Sequence, residues 1–370
     1  MIFAEELIKL LEASKVSFYT GVPDSILKSL SKIINKKNKK KHIVAVNEGS
    51  AVSIGIGYHL STKKIPCIYF QNSGLGNAIN PLVSIAHKNV YSIPLLLMIG
   101  WRGYPNSNDE EQHNTKGKIT PDILKLLNIR YVELSKKGDL KKLSKLIKFS
   151  KKNNVPVACL VKKNNLILKS DIKKINNKSF FNISRVEFIK KLLDSINKNT
   201  KIVSTTGYTS RELDQIIRKS KNPWNNFFYM VGGMGHAGAV SLGLSMFENK
   251  EIICLDGDGS ILMHLGSLRT NGFFGKKNFK HIILNNNSHE SVGGTETTAK
   301  TINFKFLAKS MGYKKYFLIK KNSDIKIILP QFLKSKGPSL MNVLIKEGTI
   351  KDLSRPKNLK KIKKKFIGNK

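Results

Sequence analysis

The chain has 370 residues and is strongly basic: 65 lysines and arginines face 25 aspartates and glutamates, a formal net charge of +40. The length allows two domains with separate cores, and the 40% hydrophobic content is that of a globular protein. No aromatic-studded basic repeat or zinc-ligand spacing is present, which excludes a sequence-reading nucleic-acid module of those kinds.

The basic residues cluster in short runs, which we interpret as loops and helix ends. Examples are residues 36–41, 136–152, 173–178 and 357–365. Asparagine and isoleucine are frequent beside the lysines, so we interpret most of the charge as a solvated surface. Attraction of small anionic substrates is a modest expected consequence.

Cysteine usage and hydropathy predict a cytoplasmic protein. Cys67, Cys159 and Cys254 each lie in an apolar run, which predicts buried, reduced thiols. The apolar stretch 93–99 is too short to span a membrane. The first fourteen residues lack the basic segment and unbroken apolar core of a signal peptide.

The first half of the chain alternates predicted strands and helices. Apolar runs predict strands at 18–20, 43–46, 65–70, 94–99 and 155–161. Helices are predicted at 3–13, at 51–60, between 77 and 86, and from Pro121 onward. Residues 104–118 are predicted to form a long polar loop. This alternation indicates a parallel α/β domain.

A second alternation follows a charged, asparagine-rich segment. Ser184, with Glu187 three residues later, predicts a capping box at the first helix of this half. Strands are predicted at 202–205, 227–231, 252–255, 281–284 and 339–345. The predicted division is therefore a domain at 1–165, a linker at 166–182, a domain at 183–350 and a basic, poorly ordered tail at 351–370.

One motif joins two strands of the second half. The sequence Asp-Gly-Asp-Gly-Ser at 256–260 follows a buried strand, and Asn285 and Asn286 follow the next one. The interval between them is the length of a strand–helix–strand crossover, which returns the second strand parallel to the first. Asp258 and Asn286 are therefore expected on neighbouring strands at one edge of the sheet. Oxygen ligands of this kind suit Mg²⁺.

This spacing resembles the cofactor motif of thiamine diphosphate enzymes; the alternative is an ordinary strand–helix turn with an aspartate cap. The resemblance implies that Asp258, the Asn286 side chain and the Ser288 carbonyl ligate Mg²⁺. It also implies a set of cofactor-binding residues in the second domain: Gly232, Met234, Gly257, Asp258, Gly259, Ser260 and Asn286. Met234 corresponds to the bulky wedge that bends the cofactor, although a methionine between glycines is also ordinary core filler.

Glu48 stands where a strand gives way to a helix. Taken alone, it is a first-turn glutamate favoured by the helix dipole. By the resemblance, it is the catalytic carboxylate beside the aminopyrimidine ring of thiamine diphosphate, where it shares a proton with a ring nitrogen.

Five further stretches are similar to the phosphonopyruvate decarboxylase family: residues 20–25, 71–77, 99–103, 289–294 and 352–356. The resemblance implies two similar α/β domains with parallel sheets and helices on both faces, the pyrimidine-binding and diphosphate-binding domains, and no middle domain. It implies decarboxylation of 3-phosphonopyruvate to phosphonoacetaldehyde and CO₂. Two places depart from the family pattern: residues 110–114, and the polar step Asn287-Ser288 where a glycine is more usual.

Binding of a dianionic phosphonate needs cations and hydrogen-bond donors. The candidates for substrate binding are Ser25, Asn72, Arg102 and Gln112. His113 and His289 are candidates both as cations for the substrate anion and for catalysis beside Glu48. Each is also readable as an ordinary loop residue.

Two other activities fit parts of the pattern. Sulfopyruvate decarboxylase, or another 2-oxo acid decarboxylase, differs mainly in the substrate's anionic group. A non-catalytic, basic nucleic-acid-binding protein on the same fold fits the charge but leaves Glu48, Asp258 and Asn286 unexplained. The resemblance also implies a homodimer or homotetramer with active sites at the subunit interface.

Overall fold

The computed structural model describes residues 1–169, 181–220 and 225–368, and its contacts divide the chain into two compact units. The first unit comprises Met1–Ile175 with Val292–Thr295, and the second comprises Asn176–Ser291 with Glu296–Lys370. Each unit contains one six-stranded sheet in which the neighbouring strands are parallel. The predicted parallel α/β class is confirmed for both halves.

The first unit contains these elements in chain order: β1 (Ile2–Phe3), α1 (Ala4–Ala13), β2 (Tyr19–Gly21), α2 (Lys28–Ile34), β3 (His42–Val44), α3 (Glu48–Thr62), β4 (Cys67–Gln71), α4 (Leu75–Pro81), β5 (Leu96–Trp101), α5 (Glu111–Leu126), β6 (Arg130–Leu134), α6 (Asp139–Asn153), β7 (Val157–Lys162) and β8 (Leu166–Ile167). Its main sheet has the order β3-β2-β4-β5-β7-β6, and β1 pairs separately with β8.

Both faces of this sheet are covered by helices because the central strands are apolar on both sides. Along β4, Cys67 and Tyr69 join a cluster with Leu7 of α1 and Leu143 of α6. Ile68 and Phe70 join a separate cluster with residues of α3, α4 and α5. Since successive side chains of a strand point to opposite faces, an uninterrupted apolar run is what a doubly covered parallel strand requires.

The second unit continues the numbering: α7 (Arg185–Ser195), β9 (Lys201–Ser204), α8 (Tyr208–Lys219), β10 (Phe227–Tyr229), α9 (Ala237–Phe247), β11 (Ile252–Gly257), α10 (Asp258–Met263), α11 (Ser267–Phe274), β12 (Phe279–Asn285), β13 (Ser288–His289), β14 (Thr295–Glu296), α12 (Phe304–Ser310), β15 (Lys315–Ile319), α13 (Asn322–Lys334), β16 (Ser339–Leu344) and α14 (Leu359–Ile367). Its sheet order is β10-β9-β11-β12-β16-β15. Counted from the first strand of each main sheet, both units have the order 2-1-3-4-6-5.

Helix α5 begins well before the position expected from the sequence. Residues 104–118 were predicted to be a loop and Pro121 a helix start, but the helix runs from Glu111 with Pro121 inside it. Proline lacks the N–H that would bond the carbonyl four residues earlier. In this helix that carbonyl, of Gly117, accepts a hydrogen bond of 2.8 Å from the indole Nε1 of Trp101. A long-range partner therefore compensates for the proline, and local sequence does not reveal it.

Two lysine-rich segments are also more ordered than predicted. Residues 136–152 were interpreted as loops and helix ends, but most of them form α6, whose buried residues include Leu140, Leu143 and Ile147. Their spacing matches a helix period, so one apolar stripe faces the core while the lysines face water.

The C-terminal tail was predicted to be poorly ordered, and this is wrong for residues 359–367. There the chain forms α14, and the ring of Phe366 packs 5.5 Å from that of Phe228. The Lys201 ammonium lies 4.6 Å from the centre of the Phe366 ring, a cation–π contact.

The capping box predicted at Ser184 is confirmed for one of its two hydrogen bonds, since Ser184 Oγ accepts the Glu187 N–H at 3.1 Å.

The predicted linker lies mostly outside the described residues, so its bounds stay a prediction. At its two ends, Leu166 and Ile167 pair with β1, and Ile183 bridges Ile345. The three cysteines are free and buried, as predicted. Within the described ranges, no helix is both long enough and apolar enough to cross a membrane.

Replacement of Phe366 by alanine tests the order of the tail. Because this side chain is 5% exposed, Phe366→Ala should lower the free energy of unfolding of the second unit by about 3 kcal/mol, as for other buried aromatic residues. Its neighbour Ile367 is 63% exposed, so Ile367→Ala should change that energy by less than about 0.5 kcal/mol. Denaturant titrations measure both. Equal, small effects would show that α14 does not pack on the sheet.

Candidate functional site

Three loops at the carboxyl edge of the second sheet meet at Ser260. Its Oγ accepts hydrogen bonds from Thr205 Oγ1, after β9, at 2.8 Å and from the Gly235 N–H, after β10, at 3.0 Å. Ser260 itself follows β11. The two glycine-bearing segments singled out in the sequence are therefore joined by one buried hydroxyl.

Asp258 is the first residue of α10 and is 2% exposed. In the pairing of β11 with β12, Gly257 lies opposite Leu284, so Asp258 and Asn286 leave neighbouring strands at the same edge, as predicted. Burial raises the pKa of Asp258 to about 6, opposed by the Thr297 hydroxyl and by backbone N–H groups that include that of Asn286. The ionised form of a buried carboxylate is poorly solvated, so a nearby cation stabilises it strongly.

The Asn286 amide has a defined orientation. Its Oδ1 accepts the Ser288 N–H at 3.1 Å, and its Nδ2 donates to Glu290 Oε2 at 3.1 Å. Asn287 lies between them with φ of 57°, a left-handed conformation that asparagine tolerates better than most residues, so the missing glycine is accommodated.

The donor set at this edge fits a hard divalent cation. It comprises a buried carboxylate, an amide oxygen and backbone carbonyls, which are the ligands Mg²⁺ prefers. Two buried atoms in the same loop, Asn287 Oδ1 and Ser288 Oγ, have no hydrogen-bond partner among the described residues. Polar atoms in this state are rare in protein interiors, so the loop has unused capacity to bind a polar group.

His289 packs against the glycine motif. A Cβ at Gly259 would lie 2.7 Å from His289 Cε1, so only glycine leaves room for the ring. Burial lowers the pKa of His289 to about 4, so its imidazole is neutral at physiological pH. It was predicted as a cationic candidate, but a neutral hydrogen-bonding role fits this environment better. Gly232 and Met234 are half-buried in the loop before α9.

Glu48 begins α3 and is 5% exposed. Its Oε2 accepts a hydrogen bond of 2.7 Å from Asn77 Nδ2. Oε1 occupies the space beside Gly74, where a Cβ would come within 2.0 Å of it. Burial raises the pKa of Glu48, and the Asn77 contact opposes the shift. Asn77 and Gly74 were not singled out, although both lie in the segment 71–77 that carries the resemblance.

Arg102 is not a free cation. Its guanidinium pairs with Asp109 through Nε, at 2.7 Å, and through Nη2, and a weaker contact of 3.4 Å reaches Glu110. The pair with Asp109 uses the edge that would bind a phosphonate bidentately. The Asn72 amide also has its hydrogen-bonding groups occupied. Its Nδ2 donates to the Arg102 carbonyl and the Thr120 hydroxyl, and its Oδ1 accepts the Arg102 backbone N–H. Sequence reasoning missed Asp109, which nothing local to Arg102 marks as its partner.

Two other candidates in this unit meet at Glu110. Gln112 Nε2 donates to Glu110 Oε2 at 2.6 Å, and His113 Nε2 lies 3.5 Å from the same oxygen. His113 is buried, and its Nδ1 has no hydrogen-bond partner in the described part of the chain. Its Nδ1 is therefore a buried polar atom whose hydrogen-bonding capacity is unused among the described residues.

Ser25 is half-buried in a turn fixed by its neighbour Asp24. Asp24 accepts the backbone N–H groups of Ile26 and Leu27 and the Gln71 amide, all at 3.0–3.1 Å. Burial raises the pKa of Asp24 to about 6. Nothing in the local sequence indicates the burial of Asp24 or its raised pKa.

Comparison with known proteins agrees with both halves of the chain. Residues 1–126 match the N-terminal TPP binding domain of thiamine pyrophosphate enzymes, and residues 205–343 match the C-terminal TPP binding domain. Three relatives align over nearly the whole chain. Phosphonopyruvate decarboxylase of Streptomyces viridochromogenes is 31% identical over 96% of this chain and 92% of its own length.

The corresponding protein of Streptomyces hygroscopicus is 30% identical over 96% of this chain and 91% of its own length. Sulfopyruvate decarboxylase of Methanosarcina acetivorans is 25% identical over 98% of this chain and 96% of its own length. Since both cofactor-binding domains match and the alignments run from end to end, the chain belongs to the family of thiamine pyrophosphate-dependent decarboxylases that includes phosphonopyruvate decarboxylase.

Proposed function

We propose that the chain decarboxylates 3-phosphonopyruvate to phosphonoacetaldehyde and CO₂, with thiamine diphosphate and Mg²⁺ as cofactors. The observation that carries this proposal is the end-to-end similarity to phosphonopyruvate decarboxylases, at 30–31% identity. Sulfopyruvate decarboxylation is the second candidate, supported by an alignment of similar coverage at 25% identity.

The metal would be held by the Asp258 carboxylate, the Asn286 Oδ1 and the Ser288 carbonyl. Asp258 is buried with its pKa raised to about 6, so a bound cation would favour its ionised form. Mg²⁺ in such sites commonly shares its remaining positions between cofactor phosphates and water. When bound, thiamine diphosphate supplies the electron sink that the departing CO₂ requires.

Glu48 would hold a proton beside the cofactor ring. Its Oε2 is occupied by Asn77, which leaves Oε1 as the oxygen that exchanges a proton. Burial raises the pKa of this carboxyl and so favours its protonated form, while the hydrogen bond from Asn77 opposes the shift. Asn77 fixes the carboxyl orientation, which makes the transfer directional.

We assign substrate anion binding to His113 rather than to Arg102. The guanidinium of Arg102 lies between two carboxylates, so this cluster carries no excess positive charge when all three groups are ionised. Arg102 would instead anchor residues 103–110 through Asp109, which also accepts the Gly103 N–H at 2.9 Å. His113 keeps a buried ring nitrogen without a partner among the described residues.

Loss of the Asp258 carboxylate should abolish cofactor retention. Asp258→Ala removes the charged ligand, so calorimetry with thiamine diphosphate and Mg²⁺ should detect no tight binding, while circular dichroism stays unchanged. Asp122→Ala, at a well-exposed carboxylate, is the control and should bind normally. Tight, Mg²⁺-dependent binding by Asp258→Ala would refute the ligand assignment.

The subunits should complement one another. We propose that each active site takes Glu48 from one subunit and Asp258 from another in a symmetric dimer or tetramer. Mixing equal amounts of Glu48→Gln and Asp258→Ala chains should then restore about a quarter of the wild-type sites through hybrid dimers. If subunit exchange is demonstrated and no activity returns, the sites are not shared.

Substrate selectivity tests the central assignment. The specificity constant for 3-phosphonopyruvate should exceed that for sulfopyruvate at least about tenfold, the effect of one charge-assisted hydrogen bond, and pyruvate should be poorer still. His113→Ala should lower the ratio of the specificity constant for 3-phosphonopyruvate to that for pyruvate, whereas Asn114→Ala, at the exposed neighbour, should not. A coupled assay of the aldehyde products measures the turnover of all three acids. Equal or faster turnover of sulfopyruvate would transfer the assignment to the second candidate.

A further inference from the structure

The orientation of the Asn286 amide depends on a carboxylate next to it. Oδ1 accepts one backbone N–H and keeps one lone pair free, while Nδ2 donates to Glu290 Oε2. A carboxylate only accepts hydrogen bonds, so it selects the amide nitrogen and turns Oδ1 the other way. Without Glu290, only the Ser288 N–H would oppose a half-turn of the amide that presents N–H groups to a cation.

Glu290 is itself fixed by three donors. Besides Asn286 Nδ2, it accepts the Arg185 guanidinium through Nη2 at 2.6 Å and the backbone N–H of Gly348. All three surrounding groups are donors, so a neutral amide at position 290 would have to point its own N–H groups at one of them. The geometry therefore requires a carboxylate at this position and not merely a polar side chain.

Arg185 links Glu290 to the helices of the second unit. It begins α7, is 5% exposed, and its Nη1 lies 3.4 Å from Glu212 Oε2 of α8. Glu212 is fully buried, and its other oxygen accepts the Thr349 hydroxyl at 2.7 Å. Arg185 is therefore clamped between two carboxylates, and only one of them touches Asn286.

Resting on the proposed function, we infer that Glu290 and Arg185 are positioning residues for metal binding. Glu290 holds the Asn286 amide with Oδ1 free for the cation, and Arg185 holds Glu290. Neither side chain is assigned a contact with substrate or cofactor. Partners that orient metal ligands in this way typically change metal affinity ten- to a hundredfold when they are replaced.

The test compares Glu290→Gln with Glu212→Gln. Both variants neutralise a carboxylate paired with Arg185, but only position 290 contacts Asn286. Mg²⁺ is titrated by calorimetry into each apoprotein in excess thiamine diphosphate, with a cofactor-only blank. Glu290→Gln should raise the Kd for Mg²⁺ at least about tenfold. Glu212→Gln should leave that Kd within about twofold of wild type.

Turnover separates positioning from general damage. At Mg²⁺ concentrations well above its new Kd, Glu290→Gln should regain most of the wild-type kcat. An unchanged Kd, an equal rise in both variants, or a kcat that saturating Mg²⁺ does not restore would each overturn the inference. If Glu290→Gln does not fold, Arg185→Lys is the alternative test. Lysine cannot pair with both Glu212 and Glu290 as arginine does, so the Kd for Mg²⁺ should rise at least about threefold. An unchanged Kd in that variant would overturn the inference.

Failure of the proposed function gives a different result. In that case wild-type protein itself shows no Mg²⁺-dependent binding of thiamine diphosphate. If wild type binds and Asp258→Ala does not, the metal site stands, and only the role of Glu290 is at issue.

Discussion

The second unit depends on the parallel pairing of β11 with β12. This register brings Asp258 and Asn286 to one edge of the sheet and puts the Asn286 N–H beside the Asp258 carboxylate. The carboxylate is buried there at a cost, which its raised pKa records. Thr297 and Ser260 hold the surrounding loops. A divalent cation would offset much of this cost, so cofactor binding and local stability are expected to be coupled.

The two units share the strand order 2-1-3-4-6-5 but place different chemistry on it. In the first unit, the acidic residue Glu48 begins the helix after the second strand of the main sheet. In the second unit, Asp258 begins the helix after the third. The same strand order thus carries a buried carboxyl with a proposed proton-transfer role in one unit and a proposed metal ligand in the other, which illustrates that function lies in sites and not in folds.

The sequence was most informative where chemistry depends on local pattern. The strand–helix–strand spacing predicted that Asp258 and Asn286 would meet, because right-handed crossovers allow few other arrangements. The predictions from sequence that were wrong involve residues whose partners are distant in the chain or not marked by local pattern. Arg102 was predicted as a substrate-binding cation, but Asp109 pairs with it. Residues 111–118 were predicted to be a loop, but they form the first part of α5, where Trp101 donates to the Gly117 carbonyl that Pro121 leaves free.

The lysine-rich helices show a second limit. In α14, basic residues outnumber apolar ones, so composition favours disorder, yet Phe366 packs under Lys201 and orders the segment. Part of the positive charge of the chain therefore lies on folded, amphipathic helices such as α6 and α14. Buried networks such as that of Arg185, Glu212 and Glu290 are equally hidden from sequence, because their members are far apart in the chain.

The central claim is that Asp258 and Asn286 bind the divalent cation of the cofactor. A crystal structure of the protein with thiamine diphosphate and Mn²⁺, with data collected at the manganese edge, tests it directly. The account predicts an anomalous peak within about 2.3 Å of an Asp258 carboxylate oxygen, Asn286 Oδ1 and the Ser288 carbonyl. A peak elsewhere, or one that excludes Asn286 Oδ1, would contradict it.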